Sequence, residues 1–128
     1  MPMYDSLKPL IVKLPNHLGQ EWLEKWLKAY EAKKPIGLPV ETFVFPTEFM
    51  KRANLALLTI PWGETITYQE LADRIGCKSA RAVGTAMAKN PYPFLLPCHR
   101  VVPKAGGVGQ YAFGSELKAR LLKFEKLD

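Results

Sequence analysis

The side chains best suited to chemistry are Cys98 and His99, adjacent in the run Pro97-Cys98-His99-Arg100-Val101-Val102. A thiolate is a strong nucleophile, and imidazole is a base able to draw off a thiol proton near neutral pH. Two considerations pull the other way. Phe94-Leu95-Leu96 and Val101-Val102 make the segment apolar, and a buried cysteine ordinarily behaves as a small, inert hydrophobe with a raised pKa. Neighbours on an extended chain also point to opposite sides, so direct contact does not follow from adjacency, and a bridging water is the alternative. A histidine used as a base is commonly oriented by a carboxylate, and the candidates towards the C-terminus are Glu116, Glu125 and Asp128. Arg100 reads as a structural ion-pair partner in preference to a phosphate contact.

Other chemistries are poorly supplied. With two histidines, His17 and His99, and two cysteines, Cys77 and Cys98, neither a multi-ligand zinc site nor a disulfide scaffold is expected. Cys77 reads as a spectator. The 128 residues suit one domain, or one domain with a short appendage, and 48% hydrophobic against 23% charged residues is enough apolar material for a core. No apolar run approaches the roughly 20 residues of a membrane helix. The start, Met1 to Lys8, lacks a basic region leading into an apolar stretch, so a cytoplasmic protein with reduced thiols is expected.

Charge is unevenly placed. The formal net charge is +6, and from Arg74 to Lys123 the only acidic residue is Glu116. Such asymmetry favours a polyanionic partner for the second half, since each phosphate contact releases a condensed counterion. A merely solvated basic face is the alternative.

The elements that must position these residues are legible in outline. Trp22, Leu23, Trp26, Leu27 and Tyr30 form a helical stripe over Gln20 to Lys33, best read as core packing. Pro35, Gly37 and Pro39 break it, and Val40 to Phe45 alternates enough for a short extended segment. The spacing of Phe49, Ala53, Leu57 and Ile60 predicts a helix from Thr47, stopped by Pro61 and Gly63. Thr67-Tyr68-Gln69-Glu70 is a capping box opening a helix to about Ile75, with Gly76 as its stop. Ser79 caps a second helix to about Lys89, giving helix-turn-helix spacing. That second helix is thin, with Ala80, Ala82, Gly84, Thr85, Ala86 and Ala88 around one long cation, Arg81. A thin helix with one guanidinium suits close packing on a neighbour or, if DNA is the partner, the minor groove over broad major-groove readout.

The segment Asn90 to Val102, NPYPFLLPCHRVV, resembles the active-site signature of the O6-alkylguanine-DNA alkyltransferases, also called methylated-DNA–protein-cysteine methyltransferases. The likeness runs from about Thr47 to Glu125 and includes IPWGETITYQELA (Ile60 to Ala72), RAVG (Arg81 to Gly84) and GGVGQYAFG (Gly106 to Gly114). The resemblance implies an α+β, mainly helical fold. Residues 46–128 would form a helix-turn-helix, winged-helix-like DNA-binding alkyltransferase domain, and residues 1–45 a short, reduced N-terminal subdomain with linker. It implies that Cys98 takes the alkyl group from guanine O6, that His99 is the water-linked base, and that Glu125 polarises it. Tyr68 would stand at the minor-groove edge of the base, and Asn90 would brace the turn before the nucleophile. The Cys98 and Val101 carbonyls would accept from the guanine amine, with Tyr111, Ala112 and Tyr92 lining the pocket. Arg81 would fill the gap left by a flipped nucleotide, while Ser79, Ala80, Ala82 and Gly84 meet the DNA.

No cofactor and no metal are implied. The expected partner is double-stranded DNA carrying O6-alkylguanine, with O4-alkylthymine a second candidate lesion. No membrane is involved, and the chain is expected to be a monomer without DNA. Transfer to a thiol leaves a thioether, so each molecule would act once. The chain departs from the family in its shorter N-terminal part, in having only His17 there as a zinc ligand, and in Asn54, where many relatives carry a large residue. Two other readings compete: a non-enzymatic alkyltransferase-like lesion sensor, disfavoured because Cys98 is present, and a sequence-reading helix-turn-helix regulator, disfavoured by the thin second helix.

Overall fold

The computed structural model describes residues 3–34, 36–109, 111 and 113–126, and its chain divides into two compact units, Met1–Phe43 and Val44–Asp128. The first unit holds α1 (Met3–Leu7), 3-10 turns at Lys8–Lys13 and Asn16–Leu18, and α2 (Gln20–Glu31). Helix α2 buries the stripe its spacing predicts: Leu23, Trp26, Leu27 and Tyr30 are buried, with the rings of Trp26 and Tyr30 stacked 5.4 Å apart. The extended segment expected over Val40 to Phe45 begins differently, since Val40–Thr42 is a 3-10 turn. Pro39 supplies the reason: its carbonyl accepts from both the Thr42 amide (2.9 Å) and the Thr42 hydroxyl (2.7 Å), closing the chain locally.

The second unit contains α3 (Glu48–Leu55), β1 (Ile66–Thr67), α4 (Tyr68–Arg74), α5 (Ala80–Ala88), β2 (Val101–Val102) and α6 (Ser115–Lys126). The unit is therefore mainly helical, with one small sheet. The Thr47 hydroxyl caps α3, whose last turn tightens into 3-10 at Ala56–Thr59 before Pro61 ends it. Strands β1 and β2 pair in parallel, Ile66 against Val101 and Thr67 against Val102. This pairing ties the entrance of α4 to the segment just after Cys98 and His99.

The capping box forms as the sequence predicts. The Glu70 amide donates to the Thr67 hydroxyl at 3.1 Å, and the Thr67 amide to the Glu70 carboxylate at 2.9 Å. At the other end, Gly76 takes φ +71°, and the Cys77 and Gly76 amides close back on the Ala72 and Asp73 carbonyls in a Schellman motif. The chain thereby reverses, and the Ser79 hydroxyl accepts from the Ala82 amide to open α5, which packs on α4. Leu71 and Ala72 of α4 and Val83, Ala86 and Met87 of α5 are buried, with Leu57, Leu96, Val101 and Leu121 also in the core of this unit.

A polar residue of α3 also lies deep in the second unit. Asn54 is fully buried; its amide nitrogen donates to the Met50 carbonyl at 2.8 Å, and its side-chain oxygen has no partner among the described residues.

Candidate active site

Cys98 is set by a knot of backbone between α5 and β2. Asn90, buried at the end of α5, accepts from the Tyr92 amide at 2.9 Å and donates to the Leu96 carbonyl at 3.4 Å, bracing the proline-rich turn. Phe94 is held at φ +78°, a conformation costly for a residue with a Cβ. Cys98 follows, buried, in a 3-10 turn Cys98–Arg100 rather than on an extended chain. The extended geometry expected there is overridden because the Arg100 amide closes on the Pro97 carbonyl at 3.0 Å. Consecutive side chains are therefore not thrown to opposite faces of a strand.

Burial pushes the Cys98 thiol up. Hydrogen bonds from the Asn90 side chain and the Phe94 amide, and the charge of Lys118, pull it part of the way back. At neutral pH the sulfur holds its proton and needs a base. His99 is fully buried beside it, with Nε2 2.6 Å from Glu125 Oε2. The second Glu125 oxygen accepts from Arg100 Nε at 2.7 Å, and Arg100 donates again to the Ile60 carbonyl at 2.9 Å beneath the Trp62 ring. Arg100 is thus the structural ion-pair partner its position suggests. Burial alone would raise the Glu125 carboxyl. The hydrogen bonds and charges of His99 and Arg100 outweigh it and hold Glu125 down to about 2. A carboxylate so firmly ionised orients the imidazole and stabilises the imidazolium that forms when His99 takes a proton.

A glycine makes room beside Glu125. Pro61 to Glu64 is a turn with Gly63 at φ +83°, and a Cβ there would stand 3.1 Å from the Glu125 carbonyl oxygen. A side chain at residue 63 would press on the end of α6 that carries Glu125 and would be strained at this φ, so glycine suits the close approach.

In front of the sulfur lies a cavity of about 590 Å³ lined by Tyr68, Arg81, Gly84, Met87, Cys98 and Tyr111, among others. Tyr68 is the first residue of α4 and faces the cavity from the capping-box end. Burial, with the Cys98 charge adding to it, raises its phenol, so Tyr68 is a proton donor at neutral pH. Arg81, Gly84, Thr85 and Ala88 fall on one face of α5, leaving a low surface with a single exposed guanidinium. Gly84 is not small for internal packing, since a Cβ there would meet only Tyr68, at 4.0 Å. Ser79 is exposed, and Ala80 and Ala82 half-buried, at the same end of the helix.

The remaining expected site residues divide. Val101 is buried, and its carbonyl accepts from Lys118 Nζ at 2.7 Å, which leaves a second lone pair for another donor. Tyr92 does not face the cavity. It is 1% exposed, and its hydroxyl accepts from the Val44 amide at 2.7 Å with Phe45 against its ring, so its polar end is used inside the core. Ala112 lies outside the described residues.

Lys118 is the neighbour of Cys98 and Tyr68 that sequence reasoning misses. It is fully buried, donates to Val101, and lies 5.8 Å from the centre of the Tyr68 ring. Burial lowers its ammonium, and the Cys98 charge counters that. The only sequence signal is that Lys118 precedes Glu125 by two helical turns, on the buried face of α6 with Leu121. Among the described residues, no cluster of three or more His, Cys, Asp or Glu side chains is placed to hold a metal ion, and no helix is long and apolar enough to cross a membrane.

Residues 48–127 match the family described as 6-O-methylguanine DNA methyltransferase, DNA binding domain. A methylated-DNA–protein-cysteine methyltransferase of Mycobacterium tuberculosis is 45% identical over 101 residues, a match covering 78% of this chain and 61% of that protein. Among solved structures, Mycobacterium tuberculosis OGT in complex with DNA is similar at a TM-score of 0.75 and 42% identity, over 84% of this chain and 67% of that one. Atl1 of S. pombe, in complex with damaged DNA containing O6-carboxymethylguanine, is similar at a TM-score of 0.55 and 29% identity, over 66% of this chain and 82% of that one. The chain therefore spans about three fifths of the length of the mycobacterial relative.

Proposed function

Because the chain belongs to the 6-O-methylguanine DNA methyltransferase family, we propose that it repairs DNA by moving the alkyl group of O6-alkylguanine onto its own Cys98. The observation that carries this reading is that Cys98 and Tyr68 line one cavity while His99, next in the chain to Cys98, is held on Glu125 at 2.6 Å.

His99 removes the Cys98 proton, and Glu125 holds the resulting imidazolium. The thiolate attacks the alkyl carbon, a C–S bond forms, and the C–O bond breaks with its electrons passing to the guanine. Tyr68, at the minor-groove edge of the base, neutralises the charge that develops there. A thioether is not reversed by cellular reductants, so the protein is consumed by the reaction. A base within a duplex is out of reach of such a buried sulfur, and rotating it out costs a few kcal/mol. Arg81, exposed on the low face of α5, fills the gap and offsets part of that cost. The small residues Ser79, Ala80, Ala82 and Gly84 let the helix enter the minor groove. Val101 and Tyr111 complete the pocket around the flipped base. The partner is duplex DNA bearing O6-alkylguanine, met by a monomer.

Incubating increasing amounts of lesion duplex with a fixed amount of protein tests this. Conversion of O6-methylguanine to guanine should plateau at one lesion per protein molecule. Continued turnover, or selective binding of the lesion with no conversion, would count against transfer to Cys98.

A further inference from the structure

His99 has one nitrogen accounted for, Nε2 on Glu125, and one that is not. Nδ1 is buried and has no hydrogen-bond partner among the described residues. The hydroxyl of Tyr111 is in the same condition, buried and unpartnered. The two rings meet edge to face, with centroids 6.1 Å apart, and Tyr111 lines the cavity that holds Cys98. Leaving two polar groups of one site dry and unpaired is costly unless something polar joins them. With Glu125 ionised, the His99 proton belongs on Nε2, so Nδ1 presents a lone pair. Tyr111 is the complementary group: burial, then the charges of Cys98 and Glu125, raise its phenol well above the ordinary value, so it keeps its proton and donates.

We infer that Tyr111 is a positioning residue for proton removal, its hydroxyl and His99 Nδ1 together fixing the one water molecule that links the Cys98 thiol to the imidazole. The inference rests on the reading of Cys98 as the nucleophile and assigns Tyr111 a part beyond lining the pocket. In the resting state the water accepts from Tyr111 Oη–H and from the thiol, and donates to Nδ1. On transfer the S–H proton passes to the water and a water proton passes to Nδ1. The water then accepts from Tyr111 and from the new Nδ1–H, and donates to the thiolate. Every atom balances, and the water has the two to four partners a buried water needs. Tyr68 and Lys118 also face Cys98, and Arg100 faces Glu125. They bias the same equilibrium.

Tyr111→Phe removes the hydroxyl alone. The test is carboxamidomethylation of Cys98 by iodoacetamide across pH, without DNA, read on the Cys98 peptide so that Cys77 does not contribute. Losing one hydrogen bond in a charged network should slow Cys98 at pH 7 about tenfold and move its profile about one pH unit upward. The variant should stay folded, as its melting curve would show. An unaltered alkylation profile overturns the inference. So does a slower transfer from lesion DNA with that profile intact, which would make Tyr111 a substrate contact only. If the profile moves while the wild-type protein leaves O6-methylguanine untouched, the proton path stands and the repair reading fails.

Discussion

Replacing Glu125 by glutamine removes one negative charge with almost no change in volume, and the surrounding hydrogen bonds dictate the outcome. One carboxylate oxygen serves His99 Nε2 at 2.6 Å and the other serves Arg100 Nε at 2.7 Å. A glutamine can keep only one of these. If its carbonyl stays on Arg100, its NH2 group faces Nε2, and the imidazole must move its proton to Nδ1, where it can no longer accept one. If its carbonyl turns to His99, two donors oppose each other at Arg100. The carboxyl is displaced from its ordinary value of 4.5 to about 2, a difference of about 3 kcal/mol at 1.36 kcal/mol per unit. That sits at the low end of the roughly 3–5 kcal/mol expected for breaking a buried ion pair from one side. A chain of this size should therefore melt about 10 °C lower or more. The tautomer change should slow single-turnover transfer from O6-methylguanine duplex about 10³-fold, within the range a general base contributes. Both are measured below the variant's melting temperature, the rate by quenched single turnover and the stability by calorimetry. A variant that melts lower yet transfers at the wild-type rate would refute the assignment of Glu125 to the proton path and leave it a purely structural group.

Other consequences are simpler to check. Because the Glu125 carboxyl is depressed in the folded protein, its contribution is fully present above its ordinary value of 4.5 and is lost as pH falls towards about 2. The wild-type melting temperature should fall through that window, and Glu125→Gln should lack that part of the fall. Asn54→Leu removes the buried side-chain oxygen that has no partner and should stabilise the protein by about 1–2 kcal/mol in urea unfolding; a lower midpoint would contradict this. Arg81→Ala, at an exposed position on α5, should leave stability and iodoacetamide reactivity alone while slowing repair of duplex lesions about tenfold, as expected if the guanidinium offsets part of the unstacking cost. Equal rates on duplex DNA would remove Arg81 from the role of plug.

Much of the helical scaffold was legible because its signals are local. Thr67 with Glu70, Gly76, and Ser79 each act within a few residues, and each does in the structure what its spacing predicts. The stripe of α2 was legible because one-sided burial imposes its own period. Three features were not, for definite reasons. Val40–Thr42 closes into a 3-10 turn because one carbonyl, that of Pro39, collects two donors, which alternation of side chains cannot reveal. Tyr92 carries an apolar ring and a polar tip, and only the fold decides that the tip meets the Val44 amide and not a substrate. Lys118 is the sharpest case. The buried face of α6 presents Lys118, Leu121 and Glu125, and a hydrophobicity pattern assigns two of those three to solvent. A charge is stable there only because partners from elsewhere in the chain, the Val101 carbonyl for Lys118 and His99 with Arg100 for Glu125, arrive at the same place.

Cys98 is the proposed acceptor, and the mass of the protein interrogates it most directly. After mixing with duplex DNA containing O6-methylguanine, the intact chain should gain the mass of one CH2 group, mapped to the Cys98 peptide, and a Cys98→Ala variant should bind the same duplex and gain nothing. An unchanged mass alongside lesion-selective binding, or a gain that persists in the variant, would contradict Cys98 as the acceptor.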